Sequence, residues 1–144
     1  MKSFFVFAVL CCFVCGCGKS TGPPKALIIP VTGTVTLDGK PLPGADVTFI
    51  PSQGIGAFTG RTNDDGSYQL EGLVGAKAKC QGKCGVRISR MLKPDGSLPS
   101  PDEPPANVGA TESLPERYSS ASTTELSAEV PEGGGKFDFP LKSS

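Results

Sequence analysis

The feature that most constrains this chain is the alternation of apolar and polar residues between Val31 and Pro51. Every second position in two short runs is apolar: Val35 and Leu37, then Ala45, Val47 and Phe49. Such a period places one set of side chains on one face of an extended strand. An Asp-Gly pair and prolines between the runs are typical of a turn. We predict a half-buried hairpin that further strands must cover, because two strands alone cannot bury an apolar face.

Five later segments show the same alternation. Residues 57–62 and 67–71 flank Asn63-Asp64-Asp65-Gly66, and an Asp-Gly pair between strand-like runs predicts a second hairpin. Residues 84–91 place Cys84, Val86 and Ile88 on one face, with Arg87 on the other. Residues 126–130 alternate, a Pro-Glu-Gly-Gly-Gly segment turns the chain, and residues 137–141 alternate back. About seven strands are predicted.

Composition agrees with one all-β domain. The chain has 144 residues, which allows a domain of ordinary size. Its 19 glycines and 14 prolines favour short strands joined by turns over helices. The formal net charge at pH 7 is +0, so no bulk field attracts nucleic acid, and we predict no nucleic-acid partner.

One long connection interrupts the alternation. Residues 93–113 carry five prolines without any periodicity, which predicts a Pro-rich loop that is either functional or disordered. After it, Leu114 and Tyr118 offer an aliphatic and an aromatic anchor in Leu-Pro-Glu-Arg-Tyr. We expect the chain to dock back on the sandwich there, with a short helical turn.

The N-terminus indicates export. Lys2 precedes an unbroken apolar run, Phe4 to Val14, which is shorter than the roughly 20 residues of a membrane-spanning helix. The following Val-Cys-Gly-Cys resembles the lipobox of bacterial lipoproteins, with Cys17 as the acylated residue; an ordinary cleaved signal peptide is the alternative. We therefore predict a signal peptide over residues 1–16, a lipidated Cys17 with a flexible tether over 17–30, and a domain over 31–142.

Lipidation would set the location. A palmitate-type acyl chain on Cys17 would anchor the protein to a membrane without spanning it. Gly18 rather than Asp follows the cysteine, which by resemblance to the sorting rule of diderm bacteria favours the outer membrane. We expect a domain that faces the periplasm or the cell surface.

Several motifs resemble a known domain. They are Gly33 to Val47 (GTVTLDGKPLPGADV), Thr62 to Tyr68 (TNDDGSY), and Gly82-Lys83 leading into Val86-Arg87-Ile88. These segments look like the carboxypeptidase regulatory-like domain, a prealbumin-like (transthyretin-like) β-sandwich of Ig-like architecture. Small bacterial lipoproteins that carry this single domain are similar in ending with segments like LPERYS and FDFPL. Cys84 departs from the pattern, because the family usually has an aromatic residue there.

The cysteines and the missing histidines limit the chemistry. Cys80 and Cys84 are the thiols that remain near the sandwich, and in an oxidising compartment they either form a disulfide or stay as two thiols. A zinc site needs four Cys or His ligands, and the chain has no histidine. Common Ser-His and Cys-His catalytic pairs need histidine as well. We predict no enzyme activity, no metal and no cofactor.

Charge is distributed unevenly. Six basic residues stand against Glu71 in residues 71–93, whereas eight acidic residues stand against Arg117 in residues 95–132. The two segments either complement one another or are simply solvated. A sharper hypothesis is a basic patch of Lys77, Lys79 and Lys83 that docks an anionic envelope polymer or a partner protein.

Two functions follow from these observations. The first is a non-enzymatic, lipid-anchored interaction or structural module of the cell envelope, whose partners are the membrane and an unidentified envelope protein or polymer. The second is a carrier or sensor of a small ligand, bound within the sandwich or at a dimer interface.

Overall fold

The structure is a computed structural model that describes residues 26–53, 56–73 and 81–144. The predicted signal peptide, Cys17, Lys77, Lys79 and Cys80 lie outside these residues. The chain is all-β, as the alternation predicts, and the described part contains seven strands of three or more residues: β1 (Ala26–Leu37), β3 (Asp46–Pro51), β4 (Phe58–Arg61), β5 (Ser67–Leu73), β6 (Gly82–Ser89), β9 (Ser127–Val130) and β11 (Phe139–Leu141).

The remaining elements are short. Four strands of two residues each complete the described β structure: β2 (Lys40–Pro41), β7 (Met91–Leu92), β8 (Thr111–Glu112) and β10 (Gly135–Lys136). A 3-10 helix spans Pro105–Val108, and the α-helix α1 spans Glu116–Ser119. No helix in the described ranges is long and apolar enough to cross a bilayer.

One curled sheet forms the body. Its strand order is β10-β1-β5-β4-β3-β6-β9, with β2 and β11 also paired to β1, while β7 and β8 form a separate small sheet. The neighbours along the path from β1 to β9 are antiparallel, whereas β10 and β11 run parallel to β1. The curl turns one face of the strands inward, as in a β-sandwich.

The predicted first hairpin is wrong in its pairing. The two strands exist, but β1 turns back only into β2, through Thr36 opposite Pro41 and Leu37 opposite Lys40. Strand β3 pairs instead with β4 and β6. Asp38 and Gly39 both have positive φ, which suits the tight two-residue turn between β1 and β2, and the chain then leaves for the next part of the sheet. The second predicted hairpin, β4 with β5, is confirmed.

Strand β1 begins earlier than the expected end of the tether. Its backbone pairs with β5 from Ala26 opposite Leu73 onward, with a register shift between Ile28 and Thr32. Residues 26–30, expected in the tether, therefore belong to the sheet. The extension pairs the backbone of residues 71–73 on β5 with β1. An inner strand of a sheet needs such partners for its backbone N–H and C=O groups.

The core consists of the inward side chains of the alternating positions. Ten of them are less than 2% exposed: Val31, Val35, Val47, Phe49, Leu70, Cys84, Val86, Ile88, Val130 and Leu141. Asp46 and Thr48 point to the opposite face from Val47 and Phe49, as the sequence predicts. Burying aliphatic and aromatic side chains contributes about 1.5 to 3 kcal/mol each, so the inner face carries most of the stability.

The C-terminal segment closes the core by running alongside β1. Phe137 donates its backbone N–H to the Thr32 carbonyl at 2.8 Å, and its own carbonyl accepts from the Tyr68 hydroxyl at 2.8 Å. Gly33 permits this approach, because a Cβ built there would lie 1.7 Å from the Phe137 carbonyl oxygen. The return strand therefore passes from β9 to β1 and does not pair with β9.

The segment expected as a Pro-rich loop carries local structure. Asp95-Gly96-Ser97 repeats the turn of Asp65-Gly66-Ser67: in each, the aspartate Oδ1 accepts from the backbone N–H and the hydroxyl of the serine. The 3-10 helix and β8 follow within it. Leu114 and Tyr118 are buried against the core, which confirms the predicted docking and its short helical turn, α1.

Candidate functional site

The outer face of the sheet brings together charged side chains from three neighbouring strands. Asp46 on β3 lies directly opposite Arg61 on β4. Thr59, two residues before Arg61 and on the same face, lies opposite Glu71 on β5. All four alternate with inward-facing residues, so the register of the sheet, and not a loop, fixes their relative positions.

These side chains line a groove with a volume of about 480 Å³. Its polar lining consists of Asp46, Thr59, Arg61, Asn63, Gln69 and Glu71, with Gly60 at the floor. We call these seven residues the polar groove. A volume of this size falls within the range of small-molecule and peptide-side-chain sites, about 300 to 1,000 Å³.

Thr62 ties the end of β4 to the segment that leads into β3. The Thr62 hydroxyl donates to the Leu42 carbonyl at 2.6 Å and accepts from the Ala45 N–H at 2.8 Å. The Thr62 backbone N–H also donates to the Ala45 carbonyl. In the described residues, the β4–β5 ladder has one register pair, Thr59 with Glu71. Beyond it the two backbones stay close, because a Cβ built at Gly60 would lie 2.2 Å from the Gln69 carbonyl oxygen and the Asn63 N–H donates to the Ser67 carbonyl at 2.8 Å.

The far end of the groove is set by the turn between β4 and β5. Asn63 Nδ2 donates to Ser67 Oγ at 3.1 Å, and the Ser67 hydroxyl donates to Asp65 Oδ1 at 2.6 Å. The hydroxyl and the backbone N–H of Ser67 lower the pKa of Asp65, because both donate to the ionised carboxylate. The turn therefore fixes where Asn63 stands.

The charged side chains of the polar groove form no ion pair with other described residues. Within the described residues the ion pairs are Lys93–Glu103 at 3.6 Å and Lys136–Asp138 at 3.4 Å, and both lie elsewhere. Asp46, Arg61 and Glu71 make no side-chain hydrogen bond or ion pair to any described residue. Two carboxylates, one guanidinium, the Gln69 amide and the side-chain oxygen of Asn63 are thus open to a ligand.

The chemistry of this lining suits reversible binding of a polar ligand. Carboxylates accept hydrogen bonds, guanidinium groups donate them, and amides do both. In the described ranges, no group of three or more His, Cys, Asp or Glu residues is placed to hold a metal ion. The groove offers hydrogen bonds and charge, with little apolar surface on which a hydrophobic ligand could pack.

Of the predicted site residues, the structure describes two. Lys83 is exposed on β6, opposite Glu129 on β9, so its nearest cross-strand neighbour is acidic. Cys84 is fully buried, and its Sγ lies 3.6 Å from the Gly82 carbonyl oxygen. Cys17, Lys77, Lys79 and Cys80 fall outside the described residues, so the lipidation, the disulfide and the complete basic patch stay predictions.

Charge complementarity between the basic and acidic segments is partly visible. Lys93 pairs with Glu103, and Glu112 accepts from the Ser89 hydroxyl at 2.6 Å and from the Arg90 N–H at 2.9 Å. The alternative in which strand and loop complement one another in charge therefore holds for the Lys93–Glu103 pair, whereas Glu112 accepts from neutral donors.

Sequence reasoning missed the polar groove. The signal available was that outward positions of three successive strands carry Asp46, Arg61 and Glu71. What the sequence lacked was the strand order: the predicted β1–β3 hairpin gives no sign that β3 pairs with β4 and brings Asp46 opposite Arg61.

Comparisons with known proteins add no assignment. Neither a family model, nor a curated protein, nor a solved structure matches this chain.

Proposed function

We propose that the protein is a non-enzymatic, lipid-anchored interaction module of the cell envelope, built on a carboxypeptidase regulatory-like domain. The acyl group on Cys17 would hold it to the membrane, and the outer face of the sheet would bind an envelope component. The domain would face the periplasm or the cell surface, with the outer membrane as the favoured location.

The proposed membrane attachment rests on the N-terminal sequence. A lysine near the start, the apolar run Phe4 to Val14 and the Val-Cys-Gly-Cys that follows together match the order of a lipoprotein signal. Stable attachment needs more than one acyl chain, which the modified N-terminal cysteine of such proteins would supply.

The observation that carries the binding role is the polar groove. Its charged side chains stand on a rigid sheet whose inner face is closed by the core, yet they pair with nothing in the described chain. The paired strands fix the spacing of these side chains in advance, so a ligand of matching spacing binds without rearranging the backbone.

The anchor is tested by metabolic labelling with a palmitate analogue in cells that produce the full-length protein. The native chain should take up label and sediment with membranes, whereas Cys17→Ser should lose both. Cys15→Ser is the matched control and should keep both. Label retained by Cys17→Ser would contradict the anchor.

The binding role is tested by photocrosslinking in the same cells. A photoreactive residue replaces Thr48, which lies opposite Thr59 at the border of the polar groove, or Glu129 on the distant strand β9. We expect one reproducible crosslinked species from position 48 and none of that species from position 129. Absence of any specific product from position 48 would contradict an interaction through this face.

A further inference from the structure

The polar groove has an alternating charge pattern. Asp46 and Arg61 are direct cross-strand neighbours, and Glu71 stands one strand further and two residues along from the level of Arg61. Neighbouring strands lie about 4.8 Å apart, and two residues along a strand span about 7 Å. One positive group is therefore held between two negative groups, all within reach of a single extended ligand.

This pattern discriminates between classes of ligand. A polyanion would meet Arg61 favourably but would be repelled by Asp46 and Glu71, and a polycation would meet the reverse conflict at Arg61. A neutral ligand would cover three charged groups and offer none of them an opposite charge, which costs desolvation energy. A ligand that carries both signs of charge satisfies all three groups.

The amides specify the ligand further. Gln69 lies on β5 between Leu70 and Tyr68, points outward, and lines the groove beside Arg61. Asn63 lines the same groove, and its side-chain nitrogen donates to Ser67. Its side-chain oxygen has no partner in the described residues. Side-chain amides match the N–H and C=O groups of a peptide backbone.

We propose that the polar groove binds an amphoteric peptide, in which a carboxylate engages Arg61 and flanking ammonium groups engage Asp46 and Glu71. A guanidinium can hold a carboxylate through two parallel hydrogen bonds, which makes Arg61 the orienting contact. This inference rests on the proposed function, because it names the chemical class of the envelope component that the groove would recognise.

The test measures binding of capped pentapeptides to the full-length protein in detergent by fluorescence anisotropy. The mixed peptide has the sequence lysine, glycine, glutamate, glycine, lysine. In the all-lysine, all-glutamate and glutamine peptides, the first, third and fifth residues are all lysine, all glutamate or all glutamine. We expect the mixed peptide to bind at least about fivefold more tightly than each comparison peptide, the gain of roughly one favourable charge contact. Equal or tighter binding of the glutamine peptide, or of the neutral oligosaccharide maltohexaose, would overturn the proposal.

Charge reversal gives a readout that a structural role would not move. Arg61→Glu makes the groove wholly acidic, so the all-lysine peptide should now bind more tightly than the mixed peptide. Glu71→Gln should weaken the mixed peptide about fivefold, whereas Glu129→Gln, an exposed glutamate on β9 outside the groove, should leave its affinity unchanged. An unchanged order of peptides in Arg61→Glu would contradict the proposal.

The outcome is separable from that of the proposed function. If the peptides fail but photocrosslinks from position 48 persist, the ligand class is wrong and the interaction module stands. If the crosslinks are absent as well, both proposals fail.

Discussion

The two faces of strands β3, β4 and β5 differ in role: one is buried in the core and the other presents charge to solvent. On β3, β4 and β5 the inward residues Val47, Phe58 and Leu70 are buried in the core, while the outward residues of the same strands carry unpaired charge. The difference shows that one register of the sheet fixes both stability and recognition. A one-residue slip would place the charges in the core and the apolar side chains in solvent.

Gly33→Ala breaks the closed inner face, and we expect the largest effect from it. A Cβ at this position would lie 1.7 Å from the Phe137 carbonyl oxygen, so the C-terminal segment would be forced off β1. Loss of that closure should cost about 4 kcal/mol or more of the free energy of unfolding. Urea unfolding followed by circular dichroism measures it.

A second glycine provides the control for this change. A Cβ at Gly133 would meet nothing within 4 Å, so Gly133→Ala should stay within about 0.5 kcal/mol of the native chain. Equal unfolding midpoints for the two variants would contradict the close packing of Phe137 on Gly33.

Thr62→Val tests the residue that links the two faces. Valine keeps the shape of threonine but removes the hydroxyl, which leaves the Leu42 carbonyl and the Ala45 N–H without that buried partner. We expect a loss of about 2 kcal/mol in urea unfolding. Thr48→Val is the control: it is half-buried on the outer face without a side-chain hydrogen bond to a described residue, and its effect should stay below about 0.5 kcal/mol.

Asp138 is an outward residue that, unlike the charged residues of the polar groove, stabilises the fold. Its Oδ1 accepts from the Thr34 hydroxyl at 2.7 Å and from the Thr34 N–H at 2.8 Å, which joins the C-terminal segment to β1. The Thr34 hydroxyl, followed by its N–H and the Lys136 ammonium, lowers the pKa of Asp138 below its ordinary 3.8, although desolvation opposes the shift.

A lowered pKa in the folded state stabilises the protein where the carboxylate is ionised. The contribution is fully present above the ordinary value of 3.8 and is lost as the pH falls through the lowered pKa of the folded state. Asp138→Asn should therefore cost about 0.5 kcal/mol at pH 7, with the difference from the native chain shrinking in acid. Asp64→Asn, an exposed turn aspartate, is the control; a pH-independent difference for Asp138→Asn would refute the linkage.

Local patterns predicted most of the fold, and pairing over long distances was beyond them. The period of two identified the inward residues Val47, Phe49 and Ile88, and the Asp-Gly signal identified the β4–β5 turn, because both depend on neighbours in sequence. Gly33 gives no sign in the sequence that Phe137 packs on it, since that contact joins residues far apart in the chain. The polar groove depends on the same long-range order.

The site was therefore predictable only in its parts. Each of Asp46, Arg61 and Glu71 reads in sequence as an ordinary outward residue of a strand. They become a site when β3, β4 and β5 pair side by side in the sheet.

The most direct test of the division between the two faces removes all three groove charges at once. The variant is a triple substitution: Asp46→Asn, Arg61→Gln and Glu71→Gln. The yield of its position-48 photocrosslink in intact cells is compared with that of the protein whose groove is native. We predict that the product falls at least about fivefold while the free energy of unfolding changes by less than about 0.5 kcal/mol. An undiminished crosslink would contradict the account.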